Sequence, residues 1–225
     1  MNSSFSCKRL IDVVAAVCGM AFLFPAFVAV ACWIKLVSTG PVLFKQERVG
    51  IRGRRFIMLK FRTMDLHSET RSHENHMKEL IDSDLPMQKL DTTGDPRIIR
   101  GGHLLRTSCL DELPQLINVI RGEMSLVGPR PCISSELESY SAQQKERFDA
   151  MPGLTGYWQV MGKNKTTFNE MVAMDIHYAK SKSLWLDLKI MLKTIPAIWE
   201  QVTAPVVAAS AKENGQDRGH STSLG

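Results

Sequence analysis

Between Val13 and Ile34 the chain carries no charged residue over 22 positions, with Lys8, Arg9 and Asp12 before the run and Lys35 after it. At about 1.5 Å per residue, such a helix could just span a hydrocarbon core of roughly 30 Å. Pro25 divides the run. A proline inside a helix removes one backbone hydrogen bond and clashes with the preceding turn. Each half is then too short to cross alone, so two readings stay open: a kinked spanning helix, or a broken helix that enters and leaves on one face. Basic residues at both ends select no orientation for a single crossing and suit the re-entrant form. A secretory signal fits less well, because the run is long for its apolar region and no small-x-small cleavage site follows.

Beyond this segment the pattern changes period. Pro41 to Arg62 reads as two strands, with Phe44, Phe56, Met58 and Phe61 as β-favouring positions and Gly50 and Gly53 marking the turn. Lys60 and Arg62 share one face of the second strand. Asp65 to Asp84 is polar and reads as a surface helix; His67, His73 and His76 lack metal-ligand spacing. Asp91 to Arg106 reads as a loop that adds Arg97, Arg100 and Arg106. Leu113, Leu116, Ile117 and Ile120 recur at helical spacing, and Gly122 ends that helix. Met151 to Lys165 is turn-rich and holds Tyr157 and Trp158. Ser183 to Val202 reads as one amphipathic helix, or a pair broken at Pro196, whose Trp185 and Trp199 suit a membrane interface. Ala208 to Gly225 has the composition of a disordered tail. Three regions follow: a membrane helix over 1–40, a catalytic body over 41–202 and a tail over 203–225.

Charge sharpens the picture. The net charge is +5, and Lys45 to Arg62 holds seven Lys or Arg against one acidic residue, Glu47. Such a block attracts phosphates, anionic lipids or nucleic acid; no nucleic-acid-binding module pattern accompanies it. A non-catalytic membrane adaptor would leave the acidic pair and the rigid arginine turn described next without a role. The five cysteines show neither metal nor disulfide spacing and read as reduced thiols. Cys109 has no evident base partner and reads as an inert small residue.

The chemistry concentrates in SCLDELPQLINVIRGEMSLVGPRP, Ser108 to Pro131. Pro114 is tolerated only in the first turn of a helix, which puts Asp111 near the N-cap and Glu112 at the first helical position. Unpaired N–H groups at a helix start favour carboxylates and also bind phosphates. In Gly128–Pro131 two prolines stiffen the backbone around Arg130, which suits bidentate recognition of a phosphate or carbonyl.

Seven blocks in order, KRLIDVV, GPVLFKQERVG, FIMLKFRTM, DPRIIRGGHLLR, LDELPQLINVIRGEMSLVGPRP, PGLTGYWQV and SLWLDLKI, resemble the bacterial sugar transferases. These are monotopic polyprenyl-phosphate hexose-1-phosphate transferases, and the resemblance covers Lys8 to Thr194. It implies an α+β, mostly helical fold. A re-entrant helix broken at Pro25, a small hairpin and interfacial helices would surround an active site on the cytoplasmic face of the bacterial inner membrane. Asp111 then corresponds to the nucleophile on the β-phosphate of a UDP-sugar, with UMP released and undecaprenyl phosphate as acceptor. Glu112 corresponds to a Mg²⁺ ligand, and Pro129, Arg130 and Pro131 to the nucleotide-binding element. Lys60, Arg62, Arg97 and Arg106 are the accompanying candidates for substrate binding. The partners implied are the two substrates and the lipid bilayer, with no nucleic acid; oligomeric state is open, a homodimer included. The WQV-x-G-K-N block with SLWLDLK looks more like transferases of galactose or glucose phosphate. The long spanning N-terminal extension of some relatives has no counterpart here, as in a near-minimal catalytic form. Two positions depart from the common pattern, Cys109 and Phe24, where serine is usual.

Overall fold

The computed structural model describes residues 3–65, 80, 81, 83, 85–87 and 97–203. The polar segment expected as a surface helix lies almost wholly outside these residues, as do His67, His73, His76 and the tail.

The apolar run folds as α1 (Ser3–Phe22) and α2 (Phe24–Val37), bent by 62°. Among the described residues no single helix is long and apolar enough to cross a membrane, although this bent pair passes together by length and composition. The bend falls at Leu23, two residues before Pro25, which occupies the first turn of α2. There a missing N–H costs nothing, so the proline starts a helix rather than interrupting one. Leu10, Phe22, Phe24 and Leu36 are exposed, while Ala16, Val30 and Ile34 pack inward.

β1 (Leu43–Val49) and β2 (Arg55–Phe61) form the expected antiparallel hairpin, with Phe44 opposite Lys60 and Val49 opposite Arg55. Gly53 takes the left-handed conformation (φ 73°) that closes the turn. The stretch expected as a loop up to Arg106 ends instead in α3 (Gly102–Thr107). Its entry is shaped by α2: Trp33 Nε1 donates to the Arg100 carbonyl at 2.9 Å, and Gly101 turns at φ 79° directly against the indole. α4 (Gln115–Arg121) follows and ends, as expected, at Gly122 (φ 84°). Its buried face is Gln115, Leu116, Asn118 and Val119 rather than the apolar stripe alone. The helix lies between α1 and β2, so two of its sides are covered.

β3 (Ser125–Val127) leads to α5 (Ser134–Ser139) and pairs in parallel with β4 (Gly153–Thr155). Three glycines let these segments touch. A Cβ on Gly128 would stand 2.0 Å from the Met151 carbonyl oxygen. The turn-rich Met151–Lys165 stretch therefore supplies a strand and then α6 (Tyr157–Met161). α7 (Phe168–Ser181) opens with a capping box in which Thr167 and Glu170 satisfy each other's backbone N–H. α8 (Leu184–Thr203) runs unbroken through Pro196, which corrects the alternative of two helices. It exposes Trp185, Leu192, Ile195 and Trp199 along one side and buries Asp187 and Ile190 on the other.

The helix pair is bonded to the body at both ends. Lys8 Nζ meets Asp187 Oδ2 at 2.6 Å, and Asp12 accepts from Ser125 Oγ at 2.7 Å. The Tyr178 hydroxyl lies 2.7 Å from Asp187 Oδ1, and its burial beside that carboxylate raises its pKa. At the other end Arg62 donates to the carbonyls of Thr39 at 2.6 Å and Ser38 at 3.2 Å.

The β3–β4 contact yields a test. Gly128→Ala forces the two backbones apart and is expected to cost about 3 kcal/mol. The apparent Tm in nanodiscs should fall by roughly 6–12 °C; an unchanged Tm would refute the close approach.

Candidate active site

A cavity of about 630 Å³ opens between the hairpin, the acidic turn, the Arg130 turn and α8. That volume suits a ligand the size of a nucleotide or larger.

Its floor is the acidic turn. Asp111 and Glu112 lie not in α4 but in a 3₁₀ turn, Leu110–Glu112, that precedes it. Glu112 N–H bonds back to the Cys109 carbonyl and Leu113 N–H to that of Leu110. Pro114 occupies the N-cap position of α4, so the expected placement of the pair is shifted upstream by a few residues. Pro114 has no N–H to bond backwards, which favours a tighter turn before the helix. Cys109 enters the turn with φ 58°, unusual for a residue with a side chain. Asp111 is 7% exposed and lines the cavity. Glu112 is half-buried and takes Lys60 Nζ at 2.8 Å on Oε1.

The cationic candidates divide. Lys60, Arg97, Arg106 and Arg130 line the cavity, joined by Arg48 and Lys163. Among the described residues, six basic side chains thus share the wall with two carboxylates, an arrangement complementary to a multiply charged anion. Arg106 Nη1 is held 3.3 Å from Thr63 Oγ1, on the segment leaving β2. Arg62 is a correction: it is 1% exposed, absent from the cavity wall, and donates to the carbonyls of Ser38 and Thr39 in the segment just after α2. Two backbone acceptors satisfy the buried guanidinium there and turn it away from the neighbouring cavity.

The Pro-Arg-Pro turn also divides. Arg130 and Pro131 reach the cavity. Pro129 does not; its carbonyl accepts the Gly153 N–H at 2.9 Å, tying the turn to β4. Arg130 Nη1 forks onto Glu136 at 3.1 and 3.2 Å. The Arg130 carbonyl accepts from Arg147 at 2.9 Å, and Arg147 also bonds the Tyr140 hydroxyl and Asp175. Arg48 Nη1 donates to the Pro131 carbonyl at 3.2 Å. Burial and the nearby Arg130 lower the Arg48 pKa to about 10. Burial alone would raise Glu136, but Arg130, Arg48 and Arg147 outweigh it and hold its carboxyl below the ordinary range. Cys132, behind the turn, is pushed up to about 12 by burial and is no nucleophile at neutral pH.

The sequence reading missed several wall residues. Gln115, Thr155, Trp158, Gln159, Thr194 and Gln201 all line the cavity. Trp158 and Gln159 stood inside a block read as turn-rich and as part of the family resemblance, with no wall role assigned to either. Thr194 and Gln201 lie on α8, whose pattern announced an interfacial helix and concealed its inward polar side. No cluster of three metal-ligating side chains occurs among the described residues. The two carboxylates still fit Mg²⁺, which takes one or two protein carboxylates and completes its shell with water and substrate phosphate.

The Arg130 network predicts a pH signature. Glu136 has a folded pKa below its unfolded value, so its stabilisation is present above the ordinary glutamate pKa and is lost as pH falls through the folded pKa. Glu136→Gln should cost about 3 kcal/mol at pH 7 by removing the buried carboxylate that pairs with half-buried Arg130. The stability gap from the parent should close as pH drops from about 5 to 3; a gap independent of pH would refute the pairing.

With this geometry in view, similarity to known proteins can be weighed. Residues 3–201 match the family model described as bacterial sugar transferase. The chain is 41% identical over 203 residues to a UDP-galactose-lipid carrier transferase of Erwinia amylovora, spanning 88% of this chain and 41% of that relative. It is 40% identical over 196 residues to the exopolysaccharide production protein ExoY of Sinorhizobium fredii, spanning 85% and 84%. It is 43% identical over 199 residues to a UDP-glucose:undecaprenyl-phosphate glucose-1-phosphate transferase of Caulobacter vibrioides, spanning 85% and 69%. The acidic turn, the cationic cavity and this continuous match together make the chain a member of the bacterial sugar transferase family.

Proposed function

We propose that the protein transfers a hexose-1-phosphate from a UDP-sugar to undecaprenyl phosphate, the initiating step of exopolysaccharide, capsule or O-antigen assembly. The observation that carries this reading is the cavity itself, with two adjacent carboxylates ringed by six basic side chains. Two anionic substrates must meet a carboxylate there, which requires charge neutralisation from the walls.

In the first step an Asp111 carboxylate oxygen bonds to the β-phosphorus of the donor. The bond from that phosphorus to the bridging oxygen breaks, and UMP leaves with that oxygen and the electron pair. In the second step an oxygen of undecaprenyl phosphate bonds to the same phosphorus. The bond to Asp111 breaks, the carboxylate is restored, and the lipid carries a diphosphate-linked sugar. A covalent intermediate divides one transfer into two easier ones. Burial of Asp111 keeps bulk water from the acyl phosphate. Lys60, Arg97, Arg106 and Arg130 bind and orient the phosphates. Magnesium held by Glu112 and substrate phosphate would supply further neutralisation of the diphosphate. The resemblance to relatives named for galactose and glucose transfer supports one of these two hexoses as the group moved.

We further infer that α1 and α2 form a re-entrant anchor on the cytoplasmic face of the inner membrane. A single crossing would separate its ends by roughly 30 Å, on opposite sides of the bilayer. Lys8 at the start of α1 and the Ser38–Thr39 carbonyls after α2 both bond to the same catalytic body, which supports placing both ends on one side. The exposed apolar residues of α1, α2 and α8 would meet lipid.

Release of UMP in nanodiscs containing undecaprenyl phosphate and Mg²⁺ tests the chemistry. Turnover is expected with UDP-galactose or UDP-glucose and should fall at least about a thousandfold in Asp111→Asn. Cys109→Ser should keep most of its turnover, and excess chelator should abolish it. Robust turnover by Asp111→Asn would remove Asp111 as nucleophile, and full activity in chelator would remove the metal.

Topology is tested with single cysteines at position 2 and position 39 in a cysteine-free background. Both should resist an impermeant maleimide in intact spheroplasts and react after lysis; one reactive end would establish a crossing.

A further inference from the structure

Among the described residues, β2 has a strand partner on one side only. Arg62 N–H pairs with the Val42 carbonyl, so the even-numbered residues of β2 turn their backbone groups toward β1. The odd-numbered residues then direct theirs to the open edge. Two of these groups, the Ile57 carbonyl and the Leu59 N–H, are met by a single side chain. Asn118 Oδ1 accepts from Leu59 N–H at 3.0 Å, and Asn118 Nδ2 donates to the Ile57 carbonyl at 2.7 Å. The remaining amide hydrogen goes to Glu123 Oε2 at 2.6 Å. Asn118 is fully buried, and its primary amide presents one acceptor and one donor in the spacing of a neighbouring strand.

We propose that Asn118 is a positioning residue for phosphoryl transfer, an inference that rests on the reaction proposed above. Leu59 adjoins Lys60, whose Nζ meets Glu112 at 2.8 Å, and Glu112 adjoins Asp111. α4, which carries Asn118, starts three residues after Glu112. Hairpin and acidic segment are therefore joined twice, in front by Lys60–Glu112 and behind by the Asn118 amide. The front bond is between half-exposed side chains with rotational freedom and contributes little on its own. The rear bond is backbone-directed and buried, so it fixes the register of β2 against α4. A slip of one residue would turn Lys60 to the other face of the strand. Positioning of this kind acts on the reacting geometry, where a displacement of about 1 Å can cost up to a hundredfold.

The test compares Asn118→Ser with Glu123→Gln in the nanodisc assay, after both have shown folded, cooperative unfolding. A serine hydroxyl cannot reach both edge groups, whereas Glu123→Gln leaves the two bonds to β2 in place. Asn118→Ser should lower kcat about 20-fold or more, with KM for the UDP-sugar changed less than about threefold. Glu123→Gln should keep kcat within about threefold. A folded Asn118→Ser with parental kcat, or an equal loss in Glu123→Gln, would overturn the proposal. Because the serine variant could fail to fold, hydrogen exchange on the unaltered protein supplies a second arm. Leu59 N–H, on an open sheet edge, should exchange at least about a hundredfold more slowly than an unprotected amide; exchange at the unprotected rate overturns the proposal. Failure of the unaltered protein to release UMP from any donor would instead sink the reaction, and the exchange arm would still decide whether the amide holds the edge.

Discussion

The structure hangs on a part-buried ionic knot that joins α1 to α8. Lys8 and Asp187 are separated by 179 positions and meet at 2.6 Å. Asp12, Ser125 and Tyr178 close around them. Neither α1 nor α8 could be held by apolar contact alone, because each turns much of its apolar surface outward. An outward apolar face has no directional preference, so rotation about the helix axis must be set by something directional. The knot does this, because the Asp187 carboxylate is buried and its bonds to Lys8 and Tyr178 are satisfied only at one setting of the two helices. Once α1 is fixed, α4 packs beneath it, and β2 and the acidic turn follow.

A second knot, of arginines, governs the cavity. Arg48, Arg130 and Arg147 share the two carboxylates Glu136 and Asp175. Concentrating positive charge in a buried site is costly, and the lowered pKa of Arg48 reflects that cost. The arrangement becomes favourable when an anion enters the cavity. The same wall is then both a stability liability and a binding surface, as expected where function and fold share residues. Pro131 lines the wall and Pro129 serves it indirectly. Their carbonyls are bonded by Arg48 and Gly153, which fixes the backbone of the turn, and Glu136 then holds the Arg130 side chain.

Much of this was legible in the sequence where the signal was local. The uncharged run with its central proline announced a broken helix, and the alternating positions around Gly50–Gly53 announced the hairpin. The acidic pair and the Arg130 turn were legible as chemistry before any contact was known. What stayed hidden depends on contacts between distant segments. Arg62 shares a strand face with Lys60, but only the arrival of the Ser38–Thr39 segment decides that it points away from the cavity. The three-residue strands β3 and β4 have no periodicity to read, and their pairing rests on Gly128 and Gly153 meeting across some 25 positions. Pro196 reads as a breaker by local rule, yet α8 absorbs it. Asn118 carries no local signal of its role, because nothing near it in the sequence reveals a strand edge alongside.

The anchor and the active site are mechanically one unit. α2 reaches the cavity by two routes. Trp33 holds the Arg100 carbonyl and shapes the entry to α3, which carries Arg106. Arg62, two residues beyond Lys60, holds the Ser38 and Thr39 carbonyls just after α2. Any tilt of α2 would therefore be passed to two of the cations facing Asp111. On the reaction proposed above, with a lipid phosphate as acceptor, Asp111 would have to stay at headgroup depth, and a flexible tether could not hold it there. Rigid coupling through an indole and a buried guanidinium would meet that requirement. On the same proposal, lipid would supply the apolar contact for the exposed faces of α1 and α2, and the hydrogen bonds would supply the depth and the angle.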